Sequence, residues 1–199
     1  MKTAQPIRNK QDLKHFMDYY RCMEAHPRNY LLIVMGVNTA LRISDLLRLR
    51  WRDVYDEMHD TIRRHIFLVE SKTGKASCIF VNAHIREALL AYRKSLCTDG
   101  VMTEQREVGG QFLFCGKDGS PISRVQAYRI IRKAAEQCQL PGTISPHSMR
   151  KTFGYHAWKQ GIPPVLLMEI YHHSSFTITK RYLGIDQDDR DEVFKNICL

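Results

Sequence analysis

Residues 145–182 read SPHSMRKTFGYHAWKQGIPPVLLMEIYHHSSFTITKRY and contain two helical patterns separated by a Gly-Pro break. Ser145 is a favoured N-cap residue, and Pro146 fits the first helical position, where no backbone N–H is needed. His147 and Arg150 follow three residues apart, so both lie on one face of the first turn. The unpaired N–H groups of that turn also favour an anion. An imidazole, a guanidinium and a helix N-terminus on one side predict a phosphate-binding site.

Length and composition are those of an ordinary globular domain. The chain has 199 residues, which is enough to bury one core, and its hydrophobic (44%) and charged (26%) fractions are typical of soluble proteins. No apolar run approaches the ~18–20 residues of a membrane span. Residues 1–14, MKTAQPIRNKQDLK, lack the apolar core of a signal peptide. The sequence therefore predicts a cytosolic (cytoplasmic) protein.

The spacing of cysteine and histidine gives no sign of a metal or cofactor site. The six cysteines contain no C-x-x-C pair, and the nine histidines include no H-E-x-x-H. Scattered cysteines fit reduced thiols better than a disulfide or zinc framework. We therefore expect the protein to work without a metal ion or another cofactor.

A formal net charge of +9 indicates a polyanionic partner. A merely soluble basic protein is the common alternative. The placement of the charges favours nucleic acid, because basic residues recur at the ends of predicted elements rather than in a low-complexity tail. These residues are Arg48, Arg50, Arg52, Arg63, Arg64, Lys72, Lys75, Arg129, Arg132, Lys133, Arg150, Lys151, Lys180 and Arg181.

Helical patterns fill most of the chain upstream of the opening stretch. Asn9 is a plausible N-cap for an amphipathic helix, and Pro27 can open a second helix that is apolar nearly all round and therefore central. Ser44 is predicted to cap a third helix, whose leucines face inward. Ser123 and Gln126 form a capping-box pattern at the start of a later helix.

The periodicity changes between residues 64 and 83. The runs HIFLVE and SCIFVN are β-branched and aromatic, and they flank SKTGKA, which contains a turn glycine. This pattern predicts a β-hairpin with Lys72 at the end of the first strand and Lys75 beyond the glycine. A lysine at a hairpin tip is usually just solvated, but a flexible hairpin can also bring an ammonium group to a phosphate. Residues 111–115, QFLFC, are a candidate third strand.

The C-terminal quarter continues the helical pattern. Residues 163–173, PPVLLMEIYHH, and 176–183, FTITKRYL, are short helical runs, and residues 186–199 predict an amphipathic tail helix. The apolar side of that tail is formed by Val193, Phe194 and Ile197. The predicted fold class is mainly α with a small antiparallel β-sheet (α+β).

Five short motifs along the chain resemble those of the tyrosine recombinase (phage integrase) family. They are ALRISDLL around Arg42, SKTGK around Lys72, HSMR from His147 to Arg150, HSS beginning at His173, and TITKRY ending at Tyr182. Each motif alone is weak, but their order and spacing match the family over about residues 10–185. The resemblance implies the catalytic-domain fold of that family and a catalytic set of Arg42, Lys72, His147, Arg150, His173 and the nucleophile Tyr182. It also implies double-stranded DNA as substrate, a 3′-phosphotyrosyl intermediate, and a homotetramer on DNA that is weakly associated or monomeric without it.

The chemistry of these residue types fits phosphodiester cleavage without a metal. Arginines are always charged and have fork geometry, so Arg42 and Arg150 can hold both non-bridging oxygens of a phosphate. A phenol, with an ordinary pKa of about 10, needs a base or a nearby cation before it attacks, and His147 could take the proton of Tyr182. By the resemblance, Lys72 protonates the leaving 5′-oxygen and His173 donates a hydrogen bond to the phosphate.

Several positions leave alternatives open. Lys75 is the alternative for the lysine role, and of the adjacent His172 and His173 the family alignment selects His173. Tyr171 and His172 stand where the family usually has Leu-Gly, which leaves the backbone before His173 undetermined. Asp45 is expected to support the site rather than to act as a catalyst.

We expect residues 1–199 to form a single catalytic domain, with a core at about residues 10–185 and a tail helix at 186–199, and without the N-terminal core-binding domain of many relatives. Such a chain is either a fragment of a longer recombinase or a small member of the family, similar in size to those that invert fimbrial promoter segments. Without a second clamp it should bind DNA weakly and with steep salt dependence. The tail could dock on a neighbouring copy or on its own domain.

Two other functions compete with site-specific recombination. One is type IB topoisomerase-like relaxation of supercoils, which uses the same phosphotyrosine chemistry. The other is a DNA-binding regulatory module with a degenerate active site. The chain length and the close spacing of His147, Arg150 and Tyr182 favour a recombinase over a topoisomerase, and the intact set of six residues argues against degeneration.

Overall fold

The computed structural model describes residues 4–98, 109–116, 118–185 and 187–197. These residues are mostly helical, as predicted, and carry two small antiparallel sheets. The α-helices are α1 (Lys10–Asp18), α2 (Pro27–Asn38), α3 (Ile43–Leu46), α4 (Trp51–Val54), α5 (Ala83–Thr98), α6 (Arg124–Gln137), α7 (Pro146–Lys159), α8 (Pro164–Ile170), α9 (Phe176–Leu183) and α10 (Gln187–Asn196). The strands are β1 (Tyr55–Asp56), β2 (Thr61–Ile62), β3 (His65–Val69) and β4 (Ala76–Phe80). A π-helical turn, Tyr19–Met23, continues α1.

Helix α2 is the centre of the core. Its residues are apolar nearly all round, and all of those from Asn29 to Val37 are buried. The helix packs against α1, α5 and α7, so the central position predicted from its sequence is confirmed. Gly36 allows the side chain of Met149, on α7, to lie directly against the helix backbone. This contact brings α7, which carries the predicted phosphate site, onto the core.

Three of the four predicted helix caps are confirmed, and one is wrong. The Asn9 side chain accepts from the Gln11 and Asp12 amides, Ser123 forms its capping box, and Ser145 accepts from the Ser148 amide. Ser44 does not cap α3. Arg42 is the N-cap, because its backbone is extended and its carbonyl accepts from the Leu46 amide at 3.0 Å. The helix therefore begins two residues before the predicted start and leaves the Arg42 side chain at its entrance.

The predicted β-hairpin is present as β3 and β4. The strands pair from His65 with Phe80 to Val69 with Ala76, and residues 71–75 form the turn. Residues 111–115 make only isolated bridges, so the predicted third strand is wrong. The second sheet is instead a short hairpin of β1 and β2, which the sequence analysis missed because each strand has only two residues. Residues 99–108, in the polar and turn-rich stretch between α5 and residue 111, lie outside the described residues.

Helices α7, α8 and α9 form a smaller cluster beside the main core. Its buried members are Ala40, Leu167, Tyr171 and Leu183. Beyond it, the predicted tail helix is present as α10, and Val193 and Phe194 on it and Ile197 just after it are exposed by 54%, 80% and 57%. In the part of the chain that the structure describes, no helix is long and apolar enough to cross a membrane.

Candidate active site

A cleft of about 810 Å³ opens where the N-terminus of α7 meets α3 and the tip of the β3–β4 hairpin. Four of the six predicted site residues line it: Arg42, Lys72, His147 and Arg150. The other two, His173 and Tyr182, lie at the His147 side, where their rings contact each other. The structure thus brings together residues that are up to 140 positions apart in the chain (42 to 182).

Arg150 is held from inside the protein. Its side chain is only 3% exposed, because the first turn of α7 packs over α2. One terminal nitrogen donates to the carbonyl of Ala40, and the other donates to the carbonyl of Tyr171 at 3.1 Å. Burial, and then the nearby charge of Arg42, lowers the pKa of Arg150. Even so, guanidinium remains charged in proteins, so this arginine presents a fixed positive charge to the cleft.

Each of these two carbonyl groups belongs to, or directly precedes, a non-glycine residue with a positive φ. Ala40 has φ = 56°, and His172, directly after Tyr171, has φ = 52°. Both values lie in the left-handed region, which costs a non-glycine residue roughly 1–2 kcal/mol. Strained backbone of this kind is concentrated at functional sites, where the surrounding structure enforces it. Here it turns two carbonyl groups toward one arginine.

Glu70 is a site residue that the sequence analysis missed. Its carboxylate is 1% exposed; one oxygen accepts from Arg42 and from the Thr73 hydroxyl at 2.9 Å, and the other lies 4.0 Å from Arg150. Glu70 is absent from the lining of the cleft, so it contacts both arginines from behind. The period-two pattern of β3 carries the signal, since it places Ile66 and Glu70 on the same inward side. A carboxylate at an inward strand position needs a cationic partner.

Lys72 lies at the hairpin tip, and the end of β3 is tied to α3. The Ser71 amide donates to Asp45 at 2.8 Å, and the Ser71 hydroxyl donates to the same oxygen at 2.5 Å. Arg48 adds bonds to Ser71 and to the carbonyl of Val69. Asp45 is buried and does not reach the cleft. It supports the site, as the sequence analysis expected, by anchoring the lysine-bearing turn.

The geometry separates the two candidate lysines and the two candidate histidines. Lys72 lines the cleft, whereas Lys75 does not. His173 packs its ring against Tyr182, with ring centres 4.5 Å apart. His172 points the other way, and its Nε2 lies 3.0 Å from the hydroxyl of Ser77 on β4. The arrangement therefore favours Lys72 and His173 as the residues that face the site.

Tyr182 is flanked by two imidazoles. Its hydroxyl lies 3.4 Å from His147 Nδ1, and its ring meets those of His147 and His173 edge to face. His173 Nδ1 lies 3.0 Å from the buried hydroxyl of Thr179. When that hydroxyl donates, the neutral His173 ring carries its proton on Nε2 and can donate it elsewhere.

Desolvation and nearby cations lower the pKa of both imidazoles. His147 is exposed at the cleft, and partial desolvation, followed by the charges of Lys151, Arg150 and Arg42, lowers its pKa. Burial, followed by the same two arginines, lowers the pKa of His173 to about 4. At neutral pH the positive charge of the site therefore lies on arginine and lysine, while the histidines are free to accept or donate single protons.

Tyr171 packs directly against the His173 ring. It is fully buried, its hydroxyl donates to the carbonyl of Arg150 at 2.7 Å, and its ring stacks on His173 at 5.0 Å. The hydroxyl fits because Gly154 has no side chain: a Cβ there would lie 2.4 Å from it. Tyr171 thus links α7 to the segment that carries His173.

The chain is similar to known proteins over nearly its whole length. The sequence model of the phage integrase family matches residues 8–188. The chain is 35% identical over 196 residues to the probable integrase/recombinase YoeC of Bacillus subtilis (strain 168), covering 98% of this chain and 97% of YoeC. It is 28% identical over 172 residues to the tyrosine recombinase XerD of Corynebacterium glutamicum, covering 84% of this chain and 52% of that protein. It therefore spans about half the length of that relative.

Solved structures show the same fold. The XerA recombinase matches with a TM-score of 0.74 at 18% identity, over 97% of this chain and 65% of that chain. The XerH site-specific recombinase, bound to a palindromic difH substrate, matches with a TM-score of 0.74 at 20% identity, over 98% of this chain and 54% of that chain. At these identities the likeness concerns the fold, and it confirms the predicted fold class.

Proposed function

Because this chain belongs to the phage integrase family, we propose that it is a tyrosine-type site-specific recombinase that breaks and rejoins double-stranded DNA. The observation that carries the proposal is that two arginines, a lysine and an imidazole line one cleft, while a second imidazole and a tyrosine lie at its His147 side. Together these groups supply what a metal-free phosphoryl transfer needs: charge for the phosphate, a nucleophile, a base and an acid.

The two arginines hold the scissile phosphate. Arg42 and Arg150 both line the cleft and contact the carboxylate of Glu70, which lies outside the cleft lining, so both guanidinium charges are fixed beside the space for the phosphate. Charge-assisted N–H bonds of this kind stabilise the negative charge that builds on the non-bridging oxygens. His173, with its proton on Nε2, adds a third donor.

In the cleavage step one bond to phosphorus forms, another breaks, and two protons are transferred. The Tyr182 oxygen attacks phosphorus, and the bond between phosphorus and the 5′-oxygen breaks. The phenolic proton passes to Nδ1 of His147, which is neutral and 3.4 Å away. The ammonium group of Lys72 gives a proton to the leaving 5′-oxygen. The products are a 3′-phosphotyrosyl link and a free 5′-hydroxyl, and attack by a 5′-hydroxyl of another strand reverses the step and joins the strands.

Assembly on DNA is part of the proposal. The exposed apolar residues of the tail (Val193, Phe194 and Ile197) support docking of the tail on a neighbouring copy, because large apolar side chains left in water favour a partner surface. We propose a tetramer on DNA and a monomer, or a weakly associated form, in its absence. Deleting residues 187–199 tests this: cross-linked tetramers on DNA should be lost, and unchanged tetramers would argue for docking of the tail on its own domain.

The proposal covers residues 1–199 as one catalytic domain. A single domain that contacts one face of the DNA binds weakly. Its preference for a site would then depend on oligomerisation or on another DNA-binding domain. Action on DNA fits the cytoplasmic location that the sequence predicts.

A nicked suicide substrate tests the chemistry. When a nick lies next to the cleaved phosphate, the short 5′-hydroxyl fragment diffuses away and the covalent protein–DNA adduct accumulates. We expect an adduct with the unaltered protein and none with Tyr182→Phe, while Tyr128→Phe, at a tyrosine on α6 that is 41% exposed, behaves like the unaltered protein. No adduct from the unaltered protein on its own site would favour the DNA-binding module instead. Relaxation of a plasmid without that site would favour the topoisomerase-like function.

A further inference from the structure

His172 keeps a backbone conformation that its residue type disfavours. Its φ of 52° lies in the left-handed region, which glycine adopts readily and other residues rarely do. A histidine retained in a glycine conformation, next to a proposed site residue, suggests that the side chain has a use that offsets the strain.

The His172 side chain reaches the hairpin. Its Nε2 lies 3.0 Å from the hydroxyl of Ser77, the second residue of β4. A small cleft of about 190 Å³ separates β4 from α8 at this point, and it is lined by Ser77, Leu166, Ile170 and His172 among others. Three of the five side chains of β4 are exposed, so apolar packing alone holds this strand loosely. The hydrogen bond crosses the gap between the strand and the turn before His173.

The other edge of the hairpin is anchored separately. Asp45 holds Ser71 at the end of β3, and Arg48 holds the same serine and the carbonyl of Val69. A two-stranded hairpin fixed at one strand can still rock about that strand. A second attachment at Ser77, on the opposite strand, removes this freedom and fixes the direction in which the tip points.

We propose that His172 is a positioning residue that acts through Ser77. It holds β4 against the α8–α9 turn, and so keeps Lys72 over the phosphate that His173 and Tyr182 engage. This inference rests on the proposed function, because it takes Lys72 as the acid for the leaving 5′-oxygen.

Four variants separate this role from a structural one. Ser77→Ala removes the hydroxyl, and Ser77→Thr keeps it. His172→Gly removes the imidazole and relieves the backbone, so the variant should fold at least as stably as the unaltered protein. The double variant of Ser77→Ala and His172→Gly should be no slower than the slower single variant, since both break the same contact.

The readout is the single-turnover rate of adduct formation on the nicked substrate, together with DNA affinity. One lost hydrogen bond predicts a rate loss of about three- to tenfold for Ser77→Ala and for His172→Gly, with unchanged affinity, while Ser77→Thr keeps the rate. Slower cleavage by a variant that is as stable as the unaltered protein, or more so, is not the result of a damaged fold.

A sulfur substrate shows whether the loss acts through Lys72. When sulfur replaces the bridging 5′-oxygen, the leaving thiolate needs no proton, so a defect in the acid disappears. We expect Ser77→Ala, His172→Gly and Lys72→Ala all to regain the rate of the unaltered protein on this DNA. A defect that persists with sulfur, or unaltered rates with oxygen, would overturn the role of His172 while leaving the recombinase proposal intact. Failure of the unaltered protein to form an adduct with either DNA would remove the proposed function itself, and the role of His172 with it.

Discussion

Gly154→Ala tests the packing that places His173 and Arg150. The new Cβ would lie 2.4 Å from the hydroxyl of Tyr171 and about as close as 3.0 Å to its ring. The ring cannot bend away, because it is fully buried and its hydroxyl is bonded to the carbonyl of Arg150. Tyr171 must therefore shift as a whole, and the stacked His173 must shift with it.

The expected loss follows from three contributions. Overpacking costs ~1–3 kcal/mol. Loss of the buried hydrogen bond to the Arg150 carbonyl costs a further ~1–3 kcal/mol. Replacing glycine by alanine inside α7 returns about 1 kcal/mol of helix propensity. The net fall in the free energy of unfolding is therefore about 1–5 kcal/mol, and DNA cleavage should slow because Arg150 and His173 lose their common support.

Gly36→Ala is the matched control. Gly36 also lies inside a helix, and its Cβ would also come within 2.4 Å of a side-chain atom, but that atom is the terminal methyl of Met149. The new Cβ would also lie 2.8 Å from the sulfur of the buried Met149, but methionine is flexible and can move its end aside, so the loss should be smaller than that of Gly154→Ala. Urea unfolding followed by circular dichroism gives both values.

A double variant identifies the clashing atom. In a Tyr171→Phe background the hydroxyl is gone and the nearest ring atom is 3.0 Å from the new Cβ, so Gly154→Ala should cost at least ~1 kcal/mol less than it does alone. Equal losses for Gly154→Ala and Gly36→Ala, or no coupling with Tyr171→Phe, would refute this explanation of the site.

Three further predictions concern charge. Glu70→Gln keeps an acceptor for Arg42 but removes the negative charge. Single-turnover cleavage should therefore slow about tenfold, while DNA affinity, measured by filter binding, stays the same or rises. Lower affinity with an unchanged rate would contradict the conclusion that Glu70 positions the two arginines. His173 has a pKa lowered from 6.5 to about 4 in the folded state, so the unfolded state binds more protons between these values and the protein loses stability as pH falls from 6.5 toward 4. His173→Gln should flatten this fall relative to the unaltered protein in urea titrations at each pH, and identical pH profiles would exclude the lowered pKa of His173. Binding of residues 1–199 to DNA should weaken steeply with salt, with log affinity linear in log salt concentration, and nanomolar binding at physiological salt would contradict the single-clamp account.

Local signals in the sequence predicted the helices well. Asn9, Ser123 and Ser145 cap where their side chains predict, because capping depends on the nearest few residues. Ser44 was predicted as a cap for the same reason, yet Arg42 caps α3. The N-cap role of Arg42 lies in its extended backbone and carbonyl, while its side chain pairs with the distant Glu70, a contact that no local pattern contains.

The site residues also divide into those that short motifs indicate and those that depend on contacts between separate elements. The six proposed residues could be selected from motif order; in the structure four of them line one cleft, and His173 and Tyr182 lie at its His147 side. Glu70 and the Tyr171–Gly154 contact could not be selected that way, because each depends on elements that are far apart in the chain. The departure at Tyr171 and His172 was visible in the sequence, but its meaning came from the left-handed backbone and from the bonds that each side chain makes.

The central claim is that Tyr182 becomes linked to the 3′-phosphate of the cleaved strand. Trypsin digestion of the adduct, followed by mass spectrometry, measures this directly, since cleavage after Arg181 and Arg190 releases the peptide YLGIDQDDR (residues 182–190). The account predicts that the nucleotide mass lies on Tyr182 of this peptide and that the released strand carries a free 5′-hydroxyl. Nucleotide on any other peptide, or a 5′-phosphate link to the protein, would contradict it.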